Sequence, residues 1–299
     1  MKDKRGAVII AVVFVLVAAA IILIAWGQKP AEDKAIEPPT EPVEIQTVIT
    51  EDFEMNYFSF GSGEETLVIL PGASLNSVML SADAVAAAYA GFTEKYTVYV
   101  FDCTNDWQNG YSVVQLAADT AQAMKQVGIE QADIFGCSLG SMIAQYIAIN
   151  SPELAHKLVL ASTMSRNNEI SRATIREWKQ LADSGDVVAL NRKVFAMVYS
   201  EAYYGQYKDI FASLEGVGTA DDMQRFSAMM GACLDMDSYD ELGKISCPVL
   251  VMGSWQDNTL SASLGVELAE KLGCELYMYE KYGHAVYDEA PDYKQRILD

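Results

Sequence analysis

A serine between two glycines is the residue of this 299-residue chain best placed to do chemistry. Residues 134–148 read IFGCSLGSMIAQYIA, an apolar run, a G-x-S-x-G pattern and a second apolar run with helical spacing. This pattern, where a strand gives way to a helix, is typical of a nucleophile elbow, which exposes a serine hydroxyl on a sharp turn. Larger side chains at Gly136 or Gly140 would collide with neighbouring backbone. We therefore predict that Ser138 is a nucleophile.

The expected position of Ser138 also suits the negative charge that acyl transfer creates. Backbone N–H groups and the helix dipole favour an anion at a helix N-terminus. The N–H of Leu139 is predicted to be one donor to the oxyanion. The second is expected in the loop after the predicted strand TLVIL, where the motif LPGAS places the N–H of Ala73.

A serine needs a base, and the chain has only two histidines. His284 lies in KYGHAVYDEAP after the last predicted strand, whereas His156 lies at the opposite edge of the sheet and is interpreted as a surface residue. Asp257, in VLVMGSWQDNT, follows the preceding strand and is predicted to orient the imidazole of His284. Asp102, at the end of TVYVFD, is the competing acid; its alternative role is to bind loop backbone.

The five cysteines predict neither a disulfide framework nor a metal cluster, because they are widely spaced and contain no C-x-x-C pair. We expect no metal and no organic cofactor. Cys137 is an alternative reactive group, but its side chain is expected to point into the packing of the strand.

Strand-like and helix-like segments alternate along most of the chain, and this order must position the candidate residues. The apolar strand segments predict a parallel sheet that is buried on both faces by helices. Ser112 and Gln115 predict a capping box at the start of one helix. Between Met164 and Leu242 the alternation stops, and three helical segments follow one another.

From residue 54 to 299 the chain resembles the α/β-hydrolase superfamily. The resemblance rests on GCSLG, GSWQD, YGH, LPGAS and SPELAHKLVLAS, and on the order serine, aspartate, histidine. It implies an α/β-hydrolase fold: a mostly parallel sheet with helices on both faces and a helical cap insertion over the site. One motif departs from the family, because Pro71-Gly72 stands where His-Gly often introduces the oxyanion loop. This departure leaves the identity of the second donor open.

The division of the chain follows from these patterns. Residues 7–25 are uncharged and mostly apolar, long enough to cross a bilayer, and the preceding MKDKR is basic. An uncleaved signal anchor is favoured over a cleaved signal peptide, with the N-terminus inside and the catalytic domain outside the cell membrane. The predicted parts are a cytoplasmic tail at 1–5, a transmembrane anchor at 6–26, a Pro-rich linker at 27–44, a hydrolase core at 45–162 and 243–299, and a cap at 163–242.

The predicted cap is rich in methionine and aromatic residues. Most are expected to pack the cap against the core, and some to line an apolar pocket. These residues are Met197, Tyr199, Tyr203, Tyr204, Tyr207, Phe211, Phe226, Met229 and Met230. Two loop residues, Trp107 and Trp255, are candidates either for the pocket wall or for loop anchors.

The formal net charge of −20 disfavours nucleic acid and anionic membrane surfaces as partners of the folded part. The resulting hypothesis is a membrane-anchored serine hydrolase that cleaves a small-molecule carboxylic ester with an apolar group. Amide, lactone, thioester or C–C bond cleavage and perhydrolysis remain open, because they use the same triad. A binding protein without turnover is an alternative of another class. The sequence leaves the oligomeric state open.

Overall fold

The computed structural model describes residues 42–104 and 110–298. These residues contain an eight-stranded sheet with the strand order β1-β2-β4-β3-β5-β6-β7-β8. The first two strands make the antiparallel pairs β1/β2 and β2/β4, and every other pair is parallel. The strands are β1 Ile45–Ile49, β2 Glu54–Phe60, β3 Glu65–Leu70, β4 Tyr96–Phe101, β5 Ala132–Cys137, β6 Ala155–Ala161, β7 Val249–Ser254 and β8 Glu275–Tyr279.

Eleven α-helices lie in the described residues, six of them outside the insertion. These six are α1 Ala82–Ala88, α2 Val113–Gln126, α3 Leu139–Asn150, α9 Ala262–Leu272, α10 Val286–Glu289 and α11 Tyr293–Leu298. The capping box of Ser112 and Gln115 is confirmed at the start of α2. The sequence of residues 74–92 predicts one helix, but α1 is shorter than this segment, since 3-10 turns flank it on both sides.

Two hydrophobic cores cover the two faces of the sheet, which confirms the prediction of a sheet buried on both sides. One core joins the sheet to α2, α3, α9 and the insertion. The other joins it to α1 and the C-terminal helices α10 and α11. The inner strands are correspondingly apolar, as in β5, where five of six residues are buried.

The insertion between β6 and β7 carries the remaining five helices. They are α4 Glu169–Ser184, α5 Val187–Val198, α6 Glu201–Gln206, α7 Lys208–Leu214 and α8 Ala220–Leu234. The sequence predicts one continuous helix across residues 187–216, and this prediction is wrong. Tyr199 is extended, with φ −97° and ψ 152°, and the side chain of Ser200 caps the next helix by accepting from the N–H of Tyr203.

Both ends of the insertion are tied to helix α3. The amide of Gln145 donates to the backbone oxygen of Met164 and accepts from the hydroxyl of Ser238, at 3.1 and 2.8 Å. The hydroxyl of Tyr146 donates to the backbone oxygen of Asp237 at 2.8 Å. Both ends of the insertion are therefore hydrogen-bonded to the helix that follows the candidate nucleophile.

The predicted tail at 1–5, the predicted anchor at 6–26 and nearly all of the predicted linker lie outside the described residues, as does Trp107. Within residues 42–104 and 110–298, none of the helices has the length and hydropathy that crossing a membrane requires.

Candidate active site

Ser138 occupies a strained turn between β5 and α3. Its backbone has φ 50° and ψ −116°, a positive φ that non-glycine residues rarely adopt. The close approach of two backbone segments explains the flanking glycines. A Cβ on Gly136 would lie 2.6 Å from the backbone of Gly140, and a Cβ on Gly140 would lie 1.9 Å from the backbone oxygen of Leu70.

Hydrogen bonds to strand β6 hold this turn in place. The N–H of Ser138 donates to the backbone oxygen of Ala161 at 2.8 Å. The buried hydroxyl of Ser141 donates to the backbone oxygen of Gly136 at 2.6 Å and accepts from the N–H of Ala161 at 2.9 Å. The strained conformation is therefore determined by its surroundings, as expected for backbone strain at a functional site.

His284 and Asp257 form a buried pair at the same edge of the sheet. The Nδ1 of His284 lies 2.8 Å from Oδ2 of Asp257, and the two residues are 3% and 8% exposed. Because a carboxylate can only accept, the shared proton belongs to Nδ1 of the imidazole. In the neutral ring, the free lone pair is then on Nε2.

The ionised form of Asp257 is stabilised in spite of burial. Burial by itself raises the pKa of Asp257, but the neighbouring imidazole and two backbone N–H groups outweigh it and hold that pKa below its usual value. These N–H groups belong to Thr259 and Leu260 and donate to Oδ1 at 2.8 and 3.0 Å. The carboxylate is thus fixed in orientation on both of its oxygens.

Of the two predicted oxyanion donors, one follows Ser138 directly in the chain and the other belongs to a residue that lines the same cavity. Leu139 is the first residue of α3, so its N–H has no acceptor inside the helix. Ala73 lines the same cavity as Ser138. The preceding Gly72 lies against the nucleophile, since a Cβ there would lie 3.2 Å from Cβ of Ser138. The Pro71-Gly72 loop therefore lies against the strained turn of Ser138.

Ser138, His284 and Ala73 all line one cavity of about 130 Å³. A volume of this order accommodates a small organic molecule. The insertion contributes a mostly apolar wall that consists of Ile175, Trp178, Val194, Val198, Met230 and Cys233, and the rest of the fold adds Met142 and Leu260.

The competing candidates occupy other places. Asp102 accepts from the hydroxyl of Ser77 and from the N–H of Cys103, and its Oδ1 lies 3.5 Å from the guanidinium of Arg225 on α8. His156 is on the surface, with its Nδ1 2.7 Å from Oδ1 of Asp133.

Cys137 is buried in β5, and its side chain contributes to the cavity wall. Burial raises the pKa of its thiol far above the usual value. The thiol is therefore protonated at neutral pH, which makes it a poor nucleophile.

The residues that line the cavity from the insertion differ from the expected aromatic set. Of the nine methionines and aromatic residues singled out from the sequence, Met230 lines the cavity. Several others pack inside the insertion, where the rings of Tyr199 and Phe211 contact each other at a tilt of 43° with centroids 5.0 Å apart. Trp255 is 52% exposed and lies outside the cavity lining.

Sequence reasoning missed a second set of contacts around His284. Glu289 is buried and accepts from the N–H of Gly283 at 2.9 Å, from the N–H of Ser200 at 2.9 Å and from the hydroxyl of Ser200. Gly283 packs against the same part of the insertion, since a Cβ there would lie 2.6 Å from the backbone oxygen of Val198. In the sequence, these contacts are indicated only by a pair of acids, Asp288 and Glu289, in a mostly apolar segment.

In the part of the chain that the structure describes, no group of three or more histidine, cysteine or acidic residues is arranged to hold a metal ion.

Comparisons with known proteins agree with this architecture. The family model for the alpha/beta hydrolase fold matches residues 89–198. The 3-oxoadipate enol-lactonase 2 of Acinetobacter baylyi is 22% identical over 231 residues, which cover 76% of this chain and 84% of that enzyme.

Solved structures show the same similarity. An alpha/beta hydrolase from a deep-sea metagenome library of the Medee basin has a TM-score of 0.75 at 20% identity, covering 85% of this chain and 96% of its own. A thermophilic esterase from Thermogutta terrifontis has a TM-score of 0.70 at 18% identity, covering 86% and 97%. The predicted α/β-hydrolase fold is therefore confirmed.

Proposed function

We propose that this chain, a hydrolase enzyme with the α/β-hydrolase fold, cleaves a carboxylic ester through an acyl-enzyme on Ser138. The observation that carries the proposal is a single constellation. A serine on a strained strand-to-helix turn and a histidine paired with a buried carboxylate line one cavity. Each group has the chemistry that its role in acyl transfer requires.

In the first half of the reaction, Oγ of Ser138 attacks the ester carbonyl carbon while Nε2 of His284 removes the hydroxyl proton. The carbonyl oxygen becomes an oxyanion, which the N–H groups of Leu139 and Ala73 stabilise. Asp257 stabilises the imidazolium through Nδ1. The tetrahedral intermediate then expels the alcohol, which takes the proton from Nε2 and leaves an ester of Ser138.

In the second half, water replaces the alcohol. Nε2 of His284 removes a proton from the water as its oxygen attacks the acyl carbon, and the same donors stabilise the second oxyanion. Collapse of this intermediate breaks the bond between the acyl carbon and Oγ. Ser138 recovers its proton from the imidazolium, and the carboxylic acid leaves.

The wall of the cavity supports an ester with an apolar group. Ile175, Trp178, Val194 and Val198 face the space above the nucleophile, where a hydrocarbon group would be removed from water. A lactone is the second candidate, because the similar Acinetobacter enzyme is named an enol-lactonase. In a lactone the same steps apply, but the leaving alcohol stays attached to the acyl group.

Labelling with a fluorophosphonate probe tests the nucleophile. We expect the native protein to be labelled and Ser138→Ala to lose the label, whereas Ser213→Ala on the exposed face of α7 retains it. A burst of nitrophenol from p-nitrophenyl acetate would show acyl-enzyme formation and would exclude a binding protein without turnover. Labelling of Ser138→Ala at native stoichiometry would refute the proposed role of this serine.

We also propose that residues 6–26 anchor the enzyme in the cell membrane with the catalytic domain outside, as the apolar span and the basic residues before it predict. The full chain should sediment with membranes and remain there after a high-salt wash. A chain that lacks residues 6–26 should be released. If the native protein is recovered in soluble form with an N-terminus beyond residue 26, the proposed anchor is wrong.

A further inference from the structure

The cavity at Ser138 extends into both hydrophobic cores of the molecule. The cap branch, defined by Ile175, Trp178, Val194 and Val198, belongs to the core beneath the insertion. The C-terminal branch, defined by Val85, Tyr89, Asp288 and Lys294, lies on the side of α1 and the C-terminal helices. Ser138 therefore lines a cavity whose walls come from both cores.

The two branches differ in chemistry. The walls of the cap branch are hydrocarbon and indole, whereas the C-terminal branch contains an ammonium, a carboxylate and the phenol rings of Tyr89 and Tyr287. An apolar group alone uses only the first of these environments. The second suits a polar group, because polar atoms that are largely removed from water need hydrogen-bond partners.

The ammonium of Lys294 in this branch uses few of its hydrogen-bond donors. Its ammonium has three donors. Its Nζ lies 3.5 Å from the backbone oxygen of Tyr287, a long contact, and 5.3 Å from the centroid of the Tyr89 ring. Among the described residues, no carboxylate oxygen lies within 4.0 Å of this ammonium.

Asp288 is nearby but is held by another partner. Its Oδ2 accepts from the hydroxyl of Tyr199 on the insertion at 3.2 Å. Burial raises the pKa of Asp288 to about 6, although the charge of Lys294 counteracts this effect. Burial lowers the pKa of Lys294, and the charge of Asp288 opposes that change. The carboxylate of Asp288 therefore favours the charged form of Lys294 without lying in contact with its ammonium.

We propose that the C-terminal branch is a subsite for a carboxylate on the substrate, bound by the ammonium of Lys294. The substrate class is then an ester or lactone that carries a second, free carboxylate a few bonds from the reacting carbonyl. This inference rests on the proposed ester chemistry at Ser138 and specifies its substrate. A charge-assisted hydrogen bond in a space of low dielectric constant accounts for the selectivity.

Two esters of equal length test the subsite by kinetics. Monomethyl glutarate has a carboxylate where methyl pentanoate has a methyl group. We expect the native enzyme to prefer monomethyl glutarate by about 10- to 100-fold in kcat/KM, the range typical of a hydrogen bond to a charged group. The Lys294→Met substitution should remove this preference, and Lys294→Arg should retain part of it.

A further variant controls the measurement. Lys208→Met removes an exposed lysine of α7 and should leave the preference for monomethyl glutarate at the native value. An equal preference in the native enzyme and in Lys294→Met would overturn the inference, as would the absence of any preference in the native enzyme.

A binding measurement separates the subsite from the chemistry. In full-length Ser138→Ala, which cannot form the acyl-enzyme, monomethyl glutarate should raise the thermal unfolding midpoint more than methyl pentanoate does. The additional Lys294→Met substitution should abolish this difference. If Ser138 is not labelled and neither ester is cleaved, the proposed function fails, but this measurement still decides the subsite. Equal shifts by both esters would reject it.

Discussion

At the scale of single residues, Asp257 differs from Asp102 in its contacts, because Asp257 is the acid that contacts the imidazole of His284. Both follow a strand, at its carboxyl end, and both are 8% exposed. Asp257 contacts Nδ1 of His284, whereas Asp102 contacts Ser77 and Arg225. The same residue type in the same local setting thus makes two kinds of contact, one with an imidazole and one with the insertion.

Substitution of these two acids tests the assignment. Asp257→Asn should lower kcat by about 10³- to 10⁴-fold, because the amide stabilises the wrong tautomer of the imidazole and no longer balances the imidazolium charge. Asp102→Asn should retain kcat within about tenfold, since its contacts support packing rather than the base. Steady-state kinetics with a p-nitrophenyl ester measures both. The reverse order of effects would reassign the triad acid.

Glycine substitutions test the packing of the elbow. Gly140→Ala should strongly destabilise the fold, by about 3 kcal/mol or more, because its Cβ would lie 1.9 Å from the backbone oxygen of Leu70 and neither backbone segment can move freely. Gly265→Ala is the matched control in the interior of α9, where a Cβ meets nothing within 4 Å. It should stabilise by about 0.5–1 kcal/mol.

Urea unfolding of the two variants measures these free energies. A small cost for Gly140→Ala would contradict the close approach of α3 and the oxyanion loop.

At the scale of elements, the loop that carries His284 is built against the insertion rather than against the sheet alone. Glu289 joins the N–H of Gly283 to Ser200, and the N–H of Ala285 donates to the backbone oxygen of Val198 at 2.8 Å. These contacts meet the insertion at the break between α5 and α6. The position of His284 is therefore coupled to the position of the insertion.

Glu289 is accordingly a positioning residue, and its substitution should affect turnover more than binding. Glu289→Ala should lower kcat by about 100-fold with a smaller change in KM, because the His284 loop loses its attachment. It should also shift the acidic limb of the kcat pH profile. Glu289→Gln should restore both, since one amide oxygen can accept from the two N–H groups that Oε1 now accepts from.

Glu280→Ala is the control for this experiment, because Glu280 is exposed on the same loop. It should leave kcat and the pH profile at native values. A stable Glu289→Ala enzyme with native kcat and an unshifted profile would show that these contacts do not position the base.

At the scale of the whole molecule, charge acts against the proposed carboxylate substrate until it reaches the cavity. The chain has 41 acidic and 21 basic residues, and its formal net charge is −20. A field of this sign slows the approach of an anion. The ammonium of Lys294 attracts the carboxylate only at short range, inside the C-terminal branch.

Salt should therefore affect the two test esters differently. Raising the ionic strength from about 0.01 to 0.15 M shortens the screening length from about 30 to 8 Å, which weakens the long-range repulsion more than the contact with Lys294. The kcat/KM for monomethyl glutarate should rise, and that for methyl pentanoate should stay constant. A fall for monomethyl glutarate would indicate that the anion binds at an exposed site.

The sequence alone determined the parts of the molecule that depend on local rules. A sharp turn between strand and helix requires small neighbours, so G-x-S-x-G located the elbow, and apolar runs of strand length predicted the buried parallel sheet. The capping box of Ser112 and Gln115 and the places of Asp257 and His284 after their strands follow from the same local rules. Each of these features depends on residues that lie only a few positions apart along the chain.

Only the tertiary structure decided features that depend on distant segments. The break at Tyr199 and Ser200 interrupts a sequence with helical spacing, because Glu289 from the C-terminal segment binds the freed N–H and hydroxyl of Ser200. Lys294 resembles any lysine of a short amphipathic helix until α11 packs it against the cavity of Ser138. Periodicity reports which face of an element is buried, but the partner of that face is set by packing between elements far apart in sequence.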